Sequence, residues 1–214
     1  KGRVIALFAL LRLDAATLWL VLPDVEAAGL ATQLQRFVFR SKVKLEARAD
    51  LHGIGQLTQP PAASASIAAP VEGGMELDLG GDGGPRSLRI TAGETASDDA
   101  LASQWRAFDL QHGLPRLQAD QADQAEAWTP QQLSLDRLRA YSVKKGCYPG
   151  QEIVARTHFL GQVKRGLMRL QGAGIGQLGD VMLAAPFDAG DQAASRTIGK
   201  LICAEGDEGL AVLP

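Results

Sequence analysis

The sequence predicts an α+β protein whose last fifty or so residues form a small all-β domain. Two observations carry this. Up to about residue 157, segments with apolar residues at helical spacing are set among β-leaning runs, in the order β-β-α-β at the start. From Gln162 onward the period changes to short apolar runs broken by glycines. Residues 165–170, 181–184, 198–204 and 210–213 there read as strands of a barrel or sandwich. The predicted division is a body, residues 1–157, and a β-domain, residues 158–214.

Taken in order, residues 4–13 and 17–22 are apolar runs around Asp14-Ala15-Ala16 and predict a hairpin. Asp24 is placed to cap a helix reaching about Val38, with Ala27, Leu30, Ala31, Leu34, Phe37 and Val38 along one stripe. Residues 43–47 alternate like a strand. Residues 58–70 are rich in Pro, Ala and Ser and read as loop. Residues 75–79 and 87–91 predict a strand pair around a glycine-rich turn. Ser97 is the expected cap of a second helix, with Asp98 and Asp99 in its first turn and Leu101, Trp105 and Phe108 as its stripe. Gly113 and Pro115 stop it. A polar stretch, 118–126, follows. Thr129-Pro130 opens a third, shorter helix carrying Leu133 and Leu138, and residues 151–157 predict a fourth.

Composition bounds the function. With 214 residues, 46% hydrophobic and 21% charged, the chain can bury a real core. No apolar run is long enough to span a bilayer, and no basic-then-apolar leader is present. Two cysteines far apart make no disulfide framework, which fits a reducing cytosol. They also fall short of the four thiolates that usually hold an iron–sulfur cluster. Net charge is −2 but uneven. Residues 72–126 carry eleven acids against four arginines, and residues 141–169 carry six Lys/Arg against one Glu. That basic face favours an anionic partner: a carboxylate tail, a phosphate or RNA.

The basic face coincides with Lys144-Lys145-Gly146-Cys147-Tyr148-Pro149-Gly150-Gln151-Glu152. A thiolate, not a thiol, is the nucleophile and metal ligand; neighbouring cations and a helix N-terminus favour it. The competing reading is a tight loop whose cysteine packs as a small hydrophobe. Other patterns carry less. Gly174-Ile175-Gly176-Gln177-Leu178-Gly179 matches a dinucleotide fingerprint by letter, but a strand follows where the fingerprint needs a helix. His52, His112 and His158 lack metal-ligand spacing, and no Ser–His–Asp set stands out. Trp105, Phe108 and Trp128 read as core.

Residues 145–152 followed by Ile-Val-Ala-Arg-Thr-His at 153–158 resemble the signature of the YgfZ family, the folate-binding, tRNA-modifying and iron–sulfur-assembly branch of the glycine cleavage T-protein (aminomethyltransferase) superfamily. Weaker likenesses flank it: Lys1-Gly2-Arg3 before an apolar run, Ser41-Lys42-Val43 after the first helix, Trp105 through Gly113-Leu114-Pro115, and Pro130 to Leu138. Together they span most of residues 1–170.

The resemblance implies a ferredoxin-like tetrahydrofolate-binding body, a C-terminal β-barrel and a central channel for the folate. It implies that the chain lacks the family's N-terminal segment and part of its last domain. It also implies site residues. Cys147 is the working thiol. Lys144, Lys145, Gly146, Tyr148, Gly150, Gln151, Glu152 and Arg156 shape or line the folate site, and Arg156 can anchor an anion. Two departures weigh against an aminomethyltransferase. Val4 to Phe8 is entirely apolar where the T-protein carries its catalytic aspartate, and Gln111 stands where that enzyme's pterin-contacting glutamate is expected. Such an enzyme needs a carboxylate to position an amine.

The resemblance thus implies a cytoplasmic protein that binds tetrahydrofolate or a one-carbon derivative. It would support iron–sulfur proteins, including tRNA-thiolating enzymes, with tRNA itself as a further partner and no resident metal. Two other readings stay open. One is a folate-dependent one-carbon enzyme. The other is an RNA- or protein-binding module using the 141–169 face without folate.

Overall fold

The computed structural model describes residues 2–93, 95–117, 128–161, 164–175, 180–183 and 196–214. Within them the chain is mixed α/β. It packs as two compact units, Phe8–Phe108 in one and Lys1–Leu7 with Asp109–Pro214 in the other. In the second of these units the C-terminal strands share a core with residues 110–135.

In the unit Phe8–Phe108, β1 (Ala9–Arg12) and β2 (Leu18–Val21) form the expected hairpin. Its turn is closed by Asp14, whose Oδ1 accepts from the backbone N–H groups of Ala16 and Thr17 at 2.6 and 2.8 Å. Those bonds, Ala16's first, hold the Asp14 carboxyl below the usual aspartate range. The first strand is shorter than residues 4–13 because β2 offers only four partners. Upstream, the Val4 N–H donates instead to the Trp128 carbonyl within the other unit.

Helix α1 (Ala27–Gln35) starts later than expected. Its cap is Glu26, not Asp24: the Glu26 carboxylate accepts from Ala28 N and Gly29 N. Residues 43–47 do not form the expected strand, since no ladder receives them. The sheet is built instead from β3 (Leu51–Gln56), β4 (Ala69–Val71), β5 (Gly74–Asp78) and β6 (Ser87–Ala92), in the antiparallel order β3-β6-β5-β4. Strand β4 falls at the end of the predicted loop and carries Pro70, which an edge strand tolerates. The rest of that loop is pinned by buried Glu76, whose Oε2 accepts from Ala62 N and Ala63 N at 2.8 and 3.0 Å. Leu11, Leu77 and Ile90 centre the core.

Helix α2 (Asp99–Gln111) is capped by Asp98, which accepts from Leu101 N at 2.9 Å; the expected cap, Ser97, bonds Asp99 instead. The rings of Trp105 and Phe108 each stand 4.4 Å from the buried Arg86 guanidinium, so the predicted apolar stripe clamps a cation. Gly113, at φ 65°, ends the helix: its N–H bonds Leu110 O, and the Leu114 N–H bonds Asp109 O.

In the other unit the expected helix at 129–138 is absent. Two successive left-handed turns take its place. Ser134 (φ 52°) and Arg139 (φ 51°) each close a loop with a six-residue bond outside a four-residue bond: Leu135 N to Pro130 O around Ser134 N to Gln131 O, then Ala140 N to Leu135 O around Arg139 N to Asp136 O. These are helix-ending turns used back to back. They bury Leu133 and Leu135 almost completely. Helix α3 (Gln151–Phe159) follows as predicted.

The four C-terminal strands appear where the sequence places them: β7 (Gly166–Gln171), β8 (Asp180–Leu183), β9 (Arg196–Glu205) and β10 (Glu208–Leu213). They form an open antiparallel sheet, β7-β10-β9-β8, and not a closed barrel among the described residues. Central β10 is covered on both faces: Leu210 and Val212 enter one core, Ala211 and Leu213 the other. No helix among the described residues is long and apolar enough to cross a membrane.

Candidate functional site: an exposed thiol loop

The loop before α3 is built by local hydrogen bonds. Ser142 works twice: its hydroxyl accepts from Lys144 N at 3.2 Å, and its carbonyl accepts from the Tyr148 hydroxyl at 3.3 Å. Gln151, from the first turn of α3, donates through Nε2 to the Lys145 carbonyl at 3.1 Å. The Lys145 ammonium stands 5.0 Å from the centre of the Tyr148 ring, a cation–π contact that shields one face of the ring. Cys147 lies inside this closed circuit and its thiol is exposed.

Gly150 sets the entry to α3. It is the N-cap, at φ 85°, with no side chain to cap with. A side chain there would be strained. The N–H groups of Ile153 and Val154 are met by the Gly150 carbonyl. Gly146 is different: its backbone is not left-handed, and a Cβ added there would meet open space. The glycine requirement thus lies after the cysteine, not before it. From below, α3 is held by buried Gln131, whose Nε2 donates to Val154 O at 2.8 Å. Gly2 packs so closely that a Cβ on it would lie 2.8 Å from Gly150 O.

Lys144, Lys145, Gly146, Cys147, Tyr148, Gly150 and Gln151 are therefore brought together in one loop and helix start. Glu152 and Arg156 are exposed on α3 beyond it. Gln111 has another partner: its Nε2 donates to Glu208 Oε1 at 3.5 Å. Glu208 is itself gripped by Arg169 through two 2.7 Å contacts, which hold its carboxyl below the usual glutamate range despite burial. Ser142, Gln131 and Gly2 went unnoticed as parts of this site. Only Gly2, inside the Lys1-Gly2-Arg3 likeness, left a trace in the sequence. Tyr141, which leads into the loop, has its phenol pushed up, by burial first and by Asp136 second.

Chemically the loop offers one accessible thiol flanked by two exposed lysines. Among the described residues no group of three or more His, Cys, Asp or Glu is placed to hold a metal ion. The second cysteine, Cys203, is buried in β9, its Sγ 3.4 Å from the Arg116 N–H that points at it.

A mixed α/β protein presenting a single exposed thiol at a glycine-capped helix start is what the fold and site define. No protein-family model matches the chain. It is 32% identical over 192 residues to the tRNA-modifying protein YgfZ of Klebsiella pneumoniae, covering 80% of this chain and 58% of that protein. It is 39% identical over 114 residues to the tRNA-modifying protein YgfZ of Cronobacter sakazakii, covering 49% of this chain and 34% of that protein. Over the matched residues the chain is similar to the YgfZ family. It spans less than two thirds of the length of these curated relatives.

Proposed function

We propose that the chain is the thiol-bearing part of a cytoplasmic YgfZ-type protein that supports tRNA modification through iron–sulfur enzymes, with Cys147 as its working residue. The observation that carries this is the loop. Its thiol is exposed, its two lysines are exposed, and its geometry is fixed by Ser142, Gln151 and Gly150. A lone thiol cannot hold a cluster by itself, so the reading assigns the cluster to a client enzyme, with Cys147 as a transient ligand or nucleophile toward it.

The same reading includes a tetrahydrofolate, on a ferredoxin-like body followed by a β-barrel. The residues present fit one end of that group. Lys144, Lys145 and Arg156 are exposed cations suited to its glutamate carboxylates. The ring end has no donor set in this loop, and Gln111 is engaged by Glu208. When bound, the folate would supply one-carbon chemistry or act as a signal, and Lys144, Lys145 and Arg156 would hold its anionic tail.

Calorimetry with tetrahydrofolate and its polyglutamate tests the cofactor. Binding that weakens with salt and with Lys144→Ala/Lys145→Ala is expected; no detectable binding by the full-length protein would end the folate claim and leave the thiol claim standing.

A further inference from the structure

A second exposed feature lies in the unit Phe8–Phe108, where the chain leaves α1. Residues 36–44 run Arg-Phe-Val-Phe-Arg-Ser-Lys-Val-Lys: four cations and no acid. The rings are not used for packing. Phe37 is 63% exposed and Phe39 is 75% exposed. Arg40, in a left-handed conformation at φ 56°, lays its guanidinium 5.1 Å from the centre of the Phe39 ring. Lys44 pairs with Glu46, whereas Arg36, Arg40 and Lys42 have no acidic partner among the described residues. Beside the segment is a shallow concavity of about 380 Å³, lined by Ala31, Thr32, Gln35, Arg36 and Leu45.

Two exposed rings separated by one residue and flanked by cations suit a chain of flat bases joined by phosphates. Each ring offers a stacking face and each cation a phosphate contact. The concavity has room for one base. Thr32, Gln35 and Arg36 line it with polar groups suited to a base edge or a phosphate. An anionic membrane would instead favour a continuous apolar face on a helix. This segment is irregular, and its two rings are flanked by Arg36 and Arg40.

We infer that residues 36–44, with the concavity on α1, form a landing site for single-stranded RNA, such as an exposed loop of a tRNA. The inference rests on the tRNA-related reading above and gives it a place of contact separate in sequence from the thiol loop.

The test is fluorescence anisotropy of the full chain with a labelled single-stranded RNA dodecamer, across a salt series. Phe37→Ala and Phe39→Ala are each expected to weaken binding about tenfold, since stacking on one ring is lost. Arg40→Ala and Lys42→Ala should lower the salt slope by roughly 0.7 for each phosphate contact removed. Ile67→Ala, which trims an exposed apolar side chain outside both basic segments, should change nothing. Thermal melts of the ring variants should match wild type, because these side chains are not buried. RNA binding by wild type that is undiminished in all four segment variants would overturn the site, as would no binding at all. So would ring-dependent capture of the chain by phosphatidylserine vesicles, or ring-dependent self-association. The tRNA reading fails separately: the wild-type protein would then not restore the missing tRNA modification in a deletion strain.

Discussion

Cys147 and Cys203 are the chain's only cysteines, and they occupy opposite environments. Cys147 sits between exposed lysines and a glycine-capped helix, in a loop closed by three side-chain hydrogen bonds. Cys203 is 5% exposed, in β9, an inner strand of a sheet covered on both faces. Even its burial depends on a local irregularity. The pairing of β9 with β10 shifts between Leu210 and Ala211, so that Leu210 faces Cys203 but Ala211 faces Leu201, leaving Ile202 as an extra residue. Strict alternation would send Ile202 and Cys203 to opposite faces. The bulge sends both into the same core. The lesson is that one residue type takes its chemistry from backbone geometry: a left-handed glycine presents one thiol, and a bulge hides the other.

The largest expected effect that follows is a difference in reactivity. With iodoacetamide on the native protein, Cys147 should alkylate on the order of a thousandfold faster than Cys203, which reacts only when the sheet opens. Comparable native rates, read by peptide mass spectrometry, would dissolve the contrast.

A smaller effect concerns stability on the buried side. Glu208→Gln should cost about 1–2 kcal/mol at neutral pH, because it breaks a charge-assisted pair whose arginine is partly solvated. The sign with pH follows from the depressed Glu208 carboxyl, whose largest cause is the Arg169 hydrogen bond. Its contribution is present above the ordinary glutamate value and is lost as pH falls through the lower, folded-state value. Acid unfolding of wild type should therefore be steeper than that of Glu208→Gln, while Cys147 labelling at neutral pH stays the same in both. Parallel acid limbs would mean that the pair adds no pH-dependent stability.

The smallest effects separate the two glycines beside the thiol. Gly150→Ala should cost about 1 kcal/mol, from the left-handed backbone it must keep. Gly146→Ala should stay within about 0.5 kcal/mol. Equal costs in urea melts would show that the loop's conformation is not set where the structure sets it.

Much of this contrast was legible in the sequence. The pairing of lysines with Cys147, the apolar run around Cys203, helices α2 and α3 and all four C-terminal strands follow from spacing and composition, because each is decided by neighbours close in the chain. What could not be read depends on distant partners. Residues 43–47 alternate like a strand but have no ladder to join. Residues 129–138 carry helical spacing, yet Ser134 and Arg139 turn left-handed and break the helix into two closed turns. Glu76 gives no local sign that it will be buried under backbone N–H groups fourteen residues upstream. The open sheet, where a barrel was expected, likewise rests on pairings that no local pattern announces. At the site, Gln131 and Ser142 are ordinary polar residues until the fold places Val154 and Tyr148 beside them.

The measurement that bears most directly on the account is complementation by Cys147→Ser and Cys203→Ser in a strain lacking its own YgfZ-type protein, each carried in the full-length protein. The readouts are iron–sulfur-dependent tRNA thiolation and the thermal melt of the purified chain. The account predicts that Cys147→Ser melts like wild type but restores little or no modification. Cys203→Ser should restore modification while melting lower, since it buries a hydroxyl in an apolar core. Full restoration by Cys147→Ser, at wild-type protein levels, would contradict the central claim and make the loop structural.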